Sequence, residues 1–292
     1  MKFVITKKEA GIEIKAFLKN ISMSASLIKK LKKIPNGILV NGLHQNVNYK
    51  LIEGDILEIN YDDTQEEVNE YLEPVNIPIE IIYEDDNITV VNKGPNMPTH
   101  ESINNRGNSL ANALAFRYKN KPYVFRATNR LDKDTSGVVL TANNKYYAGL
   151  LSTKIKNGDI KKEYIAVVSG NLEGSGKIEI GIKRMGESII KRIASNDGEY
   201  ALTEYEVLAH CDKASLVLVR PQTGRTHQIR VHMAHIGHSI IGDEMYSSKS
   251  ELIYRQALHC YKMNVLGIGE FIASIPDDMK NLIRRYFNEG IL

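Results

Sequence analysis

The chain changes sign at Tyr61. Residues 1 to 60 hold ten lysines against five acids, and residues 61 to 86 hold ten acids with no lysine or arginine. Pro74 and Pro78 punctuate the acidic stretch, which reads as an exposed linker and not as part of a packed element. This reversal divides the chain before any element is assigned: a small basic module over 1–62, an acidic linker over 63–78 and a larger body over 79–292.

The front module has the pattern of a small α+β unit. Ile12, Ile14, Phe17, Leu18 and Ile21 suit a short helix, and Leu27, Ile28 and Leu31 give a second helix its apolar stripe. Ser24 or Ser26 is the N-cap expected for that second helix, and Pro35-Asn36-Gly37 is its expected stop. "GILVNG" predicts a strand running into a turn at Asn41-Gly42, and "LIEGDILEI" predicts another turn and strand. Lys29, Lys30, Lys32 and Lys33 are expected on the second helix, as a solvated face or as contacts to phosphate.

Strand-like and helix-like runs intersperse through the body. "IEIIYEDDNITVVNK" predicts a hairpin around Glu84 to Asn87, and "EYIAVVSG", "ALTEYEVLAH" and "SLVLVR" predict strands. "NSLANALAFRYKN", "NKYYAGLLSTKIKNG" and "DDMKNLIRRYFNEG" predict helices, the last with acids at its start and bases toward its end. There is no strict βαβ alternation, so the expectation is an α+β domain around a mixed, mainly antiparallel sheet. With 292 residues and 42% hydrophobic content the chain can bury a sizeable core. No apolar run reaches the roughly 18 to 20 residues of a membrane span. The first residues lack the apolar centre of a signal peptide. Cys211 and Cys260 form no framework, so a cytoplasmic protein is expected.

Three stretches stand out from this ordinary background. In "NRLDKDTSGVVL", residues 129–140, Arg130 and Lys133 flank Asp132, and Asp134 follows; this is a surface ion pair or a carboxylate that does chemistry. In "RPQTGRTHQIRVHMAHIGH", residues 220–238, Thr223 or Thr226 is the expected cap of a helix ending near Ile236, with Gly237 as its C′ residue. His227 and Arg230 then share a face. The four histidines 227, 232, 235 and 238 lack the HExxH pattern, so no metal is expected. In "KKEYIAVVSG", residues 161–170, Tyr164, Ala166 and Val168 share one face of a strand.

In order and spacing, the three stretches resemble the motifs of the RluA-type pseudouridine synthases, which isomerise uridine in ribosomal or transfer RNA. "VVNKGPNMPTH" and "ALHC" are similar to further family segments, and the resemblance covers about residues 80 to 280. The order of elements over about 10 to 60 resembles the small RNA-binding domain first seen in ribosomal protein S-four. The resemblance implies a pseudouridine synthase fold preceded by that domain. It also implies Asp132 as the catalytic carboxylate, Arg230 as its partner, and Tyr164 packed on the uracil. Arg130 would enter the RNA helix as the target base flips out, and Lys29, Lys30, Lys32 and Lys33 would contact RNA. Two departures are visible: Asn129 stands where relatives often have His and cannot titrate, and Gly94 separates Lys93 from Pro95.

The implied reaction breaks a nitrogen–carbon glycosidic bond, turns the uracil and joins the sugar to carbon 5. It needs no redox change, so no cofactor is expected. The carboxylate acts as nucleophile or as base, and a guanidinium beside it offsets the loss of solvation beneath a flipped base. The expected partner is structured RNA, ribosomal RNA before transfer RNA, and the expected state is a monomer away from membranes. Two other readings stand beside this one. A non-catalytic RNA-binding protein of the same fold would have lost Asp132, Tyr164 or Arg230. A glycoside hydrolase would use Asp132 and Asp134, whose adjacency in sequence does not supply opposed carboxylates.

Overall fold

A computed structural model describes residues 1–61, 72–102, 106–121, 123–186 and 190–287. The apolar spacing of the front segment produces β1 (Lys2–Val4), α1 (Ile14–Asn20), α2 (Ala25–Leu31), β2 (Ile38–Val40), β3 (Leu43–His44) and β4 (Ile56–Ile59). The strands form a sheet in the order β1-β4-β2-β3, antiparallel throughout. Ile14, Leu18, Leu27, Leu31, Ile38 and Leu57 fill its core. Ser24 caps α2 by accepting the Leu27 N–H at 3.2 Å. The helix is shorter than the lysine spacing predicts. It ends at Leu31, so Lys29 and Lys30 lie on it while Lys32 and Lys33 fall in the turn beyond. Pro35 disfavours helical backbone at the residue before it, and the Lys33 N–H already bonds the Lys30 carbonyl in a tighter turn.

The expected acidic linker lies, from residue 63 to 71, outside the described residues. Beyond it run β5 (Glu80–Glu84), β6 (Ile88–Lys93), α3 (Leu110–Arg117), β7 (Ser136–Ala142), α4 (Lys145–Asn157), β8 (Ile160–Ser169), β9 (Ser175–Glu179), β10 (Ile182–Arg184) and β11 (Arg192–Ala194). They are followed by β12 (Leu202–His210), β13 (Ala214–Pro221), α5 (Gln228–His235), β14 (Leu258–Val265), β15 (Gly269–Ile272) and α6 (Asp277–Tyr286). Among the described residues, nine strands make one sheet in the order β5-β6-β7-β14-β8-β13-β12-β9, with β15 added to β14. Its pairings are antiparallel except that of β7 with β14. The mixed, mainly antiparallel α+β body is therefore as the sequence predicts. No helix among the described residues is long and apolar enough to cross a membrane.

Two features of this sheet position the site. Strand β7 is buried along its whole length, which a near-continuous apolar run allows in a strand covered on both faces. Strand β14, from far along the chain, inserts between β7 and β8, with Cys260 opposite Gly137 on one side and Tyr164 on the other. The insertion is tight. A Cβ on Gly137 would lie 2.2 Å from the Cys260 carbonyl oxygen, and its φ of 116° suits glycine. The glycine of "DTSG" is thus the residue that lets the two strands meet. The front segment rests against α4: the Tyr146 hydroxyl donates to the Ile21 carbonyl at 3.1 Å, and the Tyr61 hydroxyl donates to Asn144 Oδ1 at 3.2 Å.

Candidate active site

The loop from Asn129 to Thr135 enters β7, and it is held by groups that come from distant parts of the chain. Asn129 donates to the Val138 carbonyl and accepts the Leu140 N–H, both at 3.0 Å, so its amide extends the pairing of β7. An amide does this with a donor and an acceptor at once. Thr99 Oγ1 bonds both the N–H and the carbonyl of Leu131, at 3.1 and 3.0 Å. The Thr135 N–H closes a turn on the Asp132 carbonyl at 3.1 Å. Arg255 donates to the Asp134 carbonyl and Gln256 to Thr135 Oγ1, each at 3.1 Å.

Lys93 anchors the same loop from beneath. It is fully buried, and its ammonium donates to the carbonyls of Gly94 and Met97 at 2.7 Å and of Lys133 at 3.1 Å. Burial pushes its pKa down to about 7, against the pull of Asp134 and Asp132 and with the added push of Arg255. This lysine joins the "NKGPNMP" segment to the "RLDKD" segment, so the extra Gly94 is accommodated inside a bonded loop.

Strand β13 leads into α5, and α5 delivers Arg230. The helix begins later than threonine capping predicts. His227 occupies the N-cap position with φ of 58°, and Thr223 instead bonds Gln228 Oε1 at 2.8 Å. Gln228 Oε1 also accepts the Arg225 N–H at 2.9 Å, so the first residue of the helix ties down the turn that precedes it. Gly237 follows the helix with φ of 85°, as the sequence predicts.

Arg230 is buried and grips two carboxylates. Its Nε and Nη2 donate to the two oxygens of Asp243 at 2.7 Å, and its Nη1 donates to Asp132 Oδ2 at 2.9 Å. Asp243 has no exposed side-chain surface, while Asp132 keeps 29% of its own. Burial opposes the guanidinium charge, and Asp243 and Asp132 more than compensate, raising its pKa above the ordinary value. The sheltered carboxylate orients the arginine, and the remaining N–H presents itself to the accessible one. Asp243 lies inside the third motif, yet its role follows from a turn at Gly242, where a Cβ would sit 2.2 Å from the Arg255 carbonyl oxygen.

His227 completes this edge. Its Nε2 lies 3.8 Å from Asp132 Oδ2, and its Nδ1 bonds the Tyr246 hydroxyl at 2.9 Å. Burial lowers its pKa, against Asp132. Its left-handed backbone, with φ of 58°, is uncommon for a residue other than glycine.

Asp132, Arg130, Tyr164, Lys162, His227 and Arg230 all line one cavity of about 520 Å³. Tyr164 is buried in its wall, and burial first, then Cys260 and Asp132, raise its phenol well above the ordinary value. Arg130 is exposed at its rim. The structure thus brings together the four residues expected of the body. Asp134 does not line the cavity, which leaves the paired-carboxylate reading without its second member. Lys29, Lys30, Lys32 and Lys33 are not part of this cavity. Among the described residues no cluster of histidine, cysteine or carboxylate side chains could hold a metal ion.

The arrangement sets a partly exposed carboxylate, hydrogen-bonded by a buried arginine, in one cavity with a buried tyrosine. Comparison with known proteins identifies the family. Residues 87–235 match the RNA pseudouridylate synthase family. The uncharacterized RNA pseudouridine synthase YjbO of Bacillus subtilis is 35% identical over 281 residues, covering 93% of this chain and 98% of that one. The ribosomal large subunit pseudouridine synthase D of Borreliella burgdorferi is 36% identical over 241 residues, covering 78% and 74%. The solved structure of human RNA pseudouridylate synthase domain containing 1 superposes with a TM-score of 0.58 at 28% identity, over 68% of this chain and 84% of that one. The matched segment runs from the turn between β5 and β6 to the last residue of α5, and so takes in Asp132, Tyr164 and Arg230; the chain belongs to the RNA pseudouridine synthase family and is an isomerase of uridine in RNA.

Proposed function

We propose that this enzyme modifies uridine in large-subunit ribosomal RNA, with Asp132 as its catalytic carboxylate. The observation that carries the site assignment is the 2.9 Å hydrogen bond from Arg230 to Asp132 on the wall that also holds Tyr164. In this reading Asp132 acts on the sugar or the base, as nucleophile or as acceptor of a sugar proton. Arg230, itself fixed by Asp243, balances the carboxylate while part of the Asp132 side chain stays exposed. Tyr164 packs on the uracil, and Arg130 fills the gap in the RNA that the flipped base leaves. Extrusion of a base costs a few kcal/mol, and these two interactions offset part of it.

The ribosomal substrate is supported by the Borreliella burgdorferi relative, whose name assigns it to the large ribosomal subunit. The front segment is read as an S-four-type RNA-binding domain over 1–62. Two short helices over a four-stranded sheet support that reading, as do the exposed side chains of Lys29, Lys32 and Lys33. The experiment is nucleoside mapping of RNA from a strain lacking the gene. Large-subunit ribosomal RNA is expected to keep one or more uridines unmodified, restored by the wild-type gene and not by Asp132→Asn. Intact ribosomal RNA with an unmodified transfer RNA position would overturn the substrate assignment. Restoration by Asp132→Asn would overturn the site assignment.

A further inference from the structure

The cations buried in and around the cavity have their charges answered, with one exception. Arg230 has Asp132 and Asp243, Arg255 has Asp278, and Lys93 has three carbonyls. Lys162, half-buried in the cavity wall, has no hydrogen-bond or ion-pair partner among the described residues. The group its charge meets is the Cys260 thiol. That thiol is fully buried and pushed up to about 11, so it is neutral at neutral pH and supplies no counter-charge.

Strand alternation aims this ammonium. Glu163 lies on the opposite face of β8, where Arg220 at 3.1 Å and Lys262 at 3.0 Å pair with it. Lys162 and Tyr164 therefore share the face that lines the cavity. Lys162 sits opposite Met263 of β14, and Tyr164 sits opposite Cys260. Burial lowers the pKa of Lys162. An ammonium held in a wall without a counter-charge costs stability, and an anionic group of the substrate bound beside it would supply that counter-charge.

We propose that Lys162 receives the negative charge of the uracil ring when the glycosidic bond breaks. This rests on the reading of Tyr164 as the side chain that packs on the uracil. The N1–C1′ bond breaks with its electron pair going to the ring. The ring becomes an anion with charge spread over N1 and its two carbonyl oxygens. Asp132 meets the electron deficiency at C1′, by bonding there or by taking the C2′ proton. After the ring turns, its C5 electron pair bonds C1′ as the Asp132–C1′ bond breaks or, in the proton-abstraction route, as Asp132 returns the proton to C2′; C5 then gives up its proton and N1 gains one. The product is an isomer and no co-reactant is consumed. An ammonium two residues along the strand from Tyr164, on the same face, is placed at a ring edge. Phosphates of the RNA strand stay at the rim, where Arg130 is exposed. Fixed charge aimed where charge develops is among the largest sources of rate enhancement.

The test compares wild type, Lys162→Met, Lys162→Arg and Tyr164→Leu on one modified RNA. It measures single-turnover pseudouridine formation, RNA affinity at several salt concentrations, and melting temperature. Lys162→Met is expected to slow conversion about 100-fold, the scale of removing one such donor. Its affinity and salt slope should stay within twofold, and it should melt no lower than wild type because an unanswered charge has gone. Lys162→Arg should regain at least about tenfold. Conversion by Lys162→Met within twofold of wild type overturns the proposal. So does unchanged conversion at saturation with weaker binding and a salt slope smaller by about one, because that is the signature of a phosphate contact. If Tyr164→Leu converts and binds like wild type, the reading of Tyr164 falls and this proposal falls with it. Impaired Tyr164→Leu beside unimpaired Lys162→Met overturns the role of Lys162 alone.

Discussion

Two stretches of this chain look alike as strings of charge and differ completely as structure. Arg130, Asp132, Lys133 and Asp134 crowd one loop, and Lys29, Lys30, Lys32 and Lys33 crowd one helix end. In the first, Thr99, Lys93, Arg255 and Gln256 all bond the loop backbone or its hydroxyl, and Arg230 fixes one carboxylate. In the second, Lys29, Lys32 and Lys33 stand exposed. Charge density in a sequence does not say whether a charge is fixed. Bonds from residues distant in the chain decide that, and a fixed charge suits catalysis while a solvated one suits attraction of a polyanion.

The sharpest way to break this contrast is to neutralise the one fixed charge that stays accessible. Asp132→Asn is expected to cut product formation by more than about 10³-fold, the scale on which an essential group acts. Melting temperature should hardly move, because Arg230 keeps both bonds to Asp243. RNA affinity should hold or rise slightly as a negative charge leaves. Pseudouridine yield, affinity and melting measured on one preparation check this; an active Asn variant with lowered stability would make Asp132 a structural ion pair.

Arg230→Met attacks the clamp instead. It strands Asp243, whose side chain has no exposed surface, and breaking one side of a buried pair costs about 3–5 kcal/mol. Urea unfolding should show that loss. Arg230→Lys should recover part of the stability and little of the activity, since an ammonium cannot reproduce the three-pronged grip. Equal stability of the Met variant and wild type would mean that Asp243 is solvated or protonated without its partner.

Lys93 gives a smaller effect with a definite sign. Its folded pKa is about 7 against an ordinary value of 10.5. Below pH 7 both folded and unfolded chains hold the proton, and this group adds no slope. Between about 7 and 10.5 the unfolded chain binds the proton that the folded chain has released, so stability rises with pH. The slope from this group is at most about 1.4 kcal/mol per pH unit. Unfolding measured from pH 6 to 9 should show that rise in wild type and its absence in Lys93→Met. Parallel curves would mean that the three carbonyls keep the ammonium charged throughout.

What the sequence discloses divides along the same line. The hairpin of β5 and β6, the long helix α4 and the α+β class are legible because alternation, caps and turns are local signals. The insertion of β14 between β7 and β8 is not, since its pairing joins residues more than 90 positions apart and leaves no local mark. Asp132, Tyr164 and Arg230 stand out through family resemblance, and the 98-residue separation of Asp132 from Arg230 hides their hydrogen bond from any pattern. Asp243 and Lys93 fall inside recognisable motifs, but no local signal gives them a role, because what the fold puts beside them sets it. Asn129 departs from the family pattern, and its two bonds to β7 give it a structural reason that composition could not supply.

The smallest expected effect comes from the solvated cluster, and it is the one that tests the contrast from the other side. Lys29→Ala, Lys32→Ala and Lys33→Ala together should leave the melting temperature unchanged, since the three side chains are exposed. Conversion at saturating RNA should also be unchanged, because none of them lines the cavity. Each lysine that neutralises a phosphate releases about one counterion on binding, so the salt slope should fall by about one for each such lysine replaced. The triple variant should therefore bind more weakly at low salt and approach wild type as salt rises. A wild-type salt slope would return these lysines to a plain solvated face. A slope that falls together with the rate at saturating RNA would show that the front segment helps to seat the substrate in the cavity, and the division between attraction and chemistry would then fail.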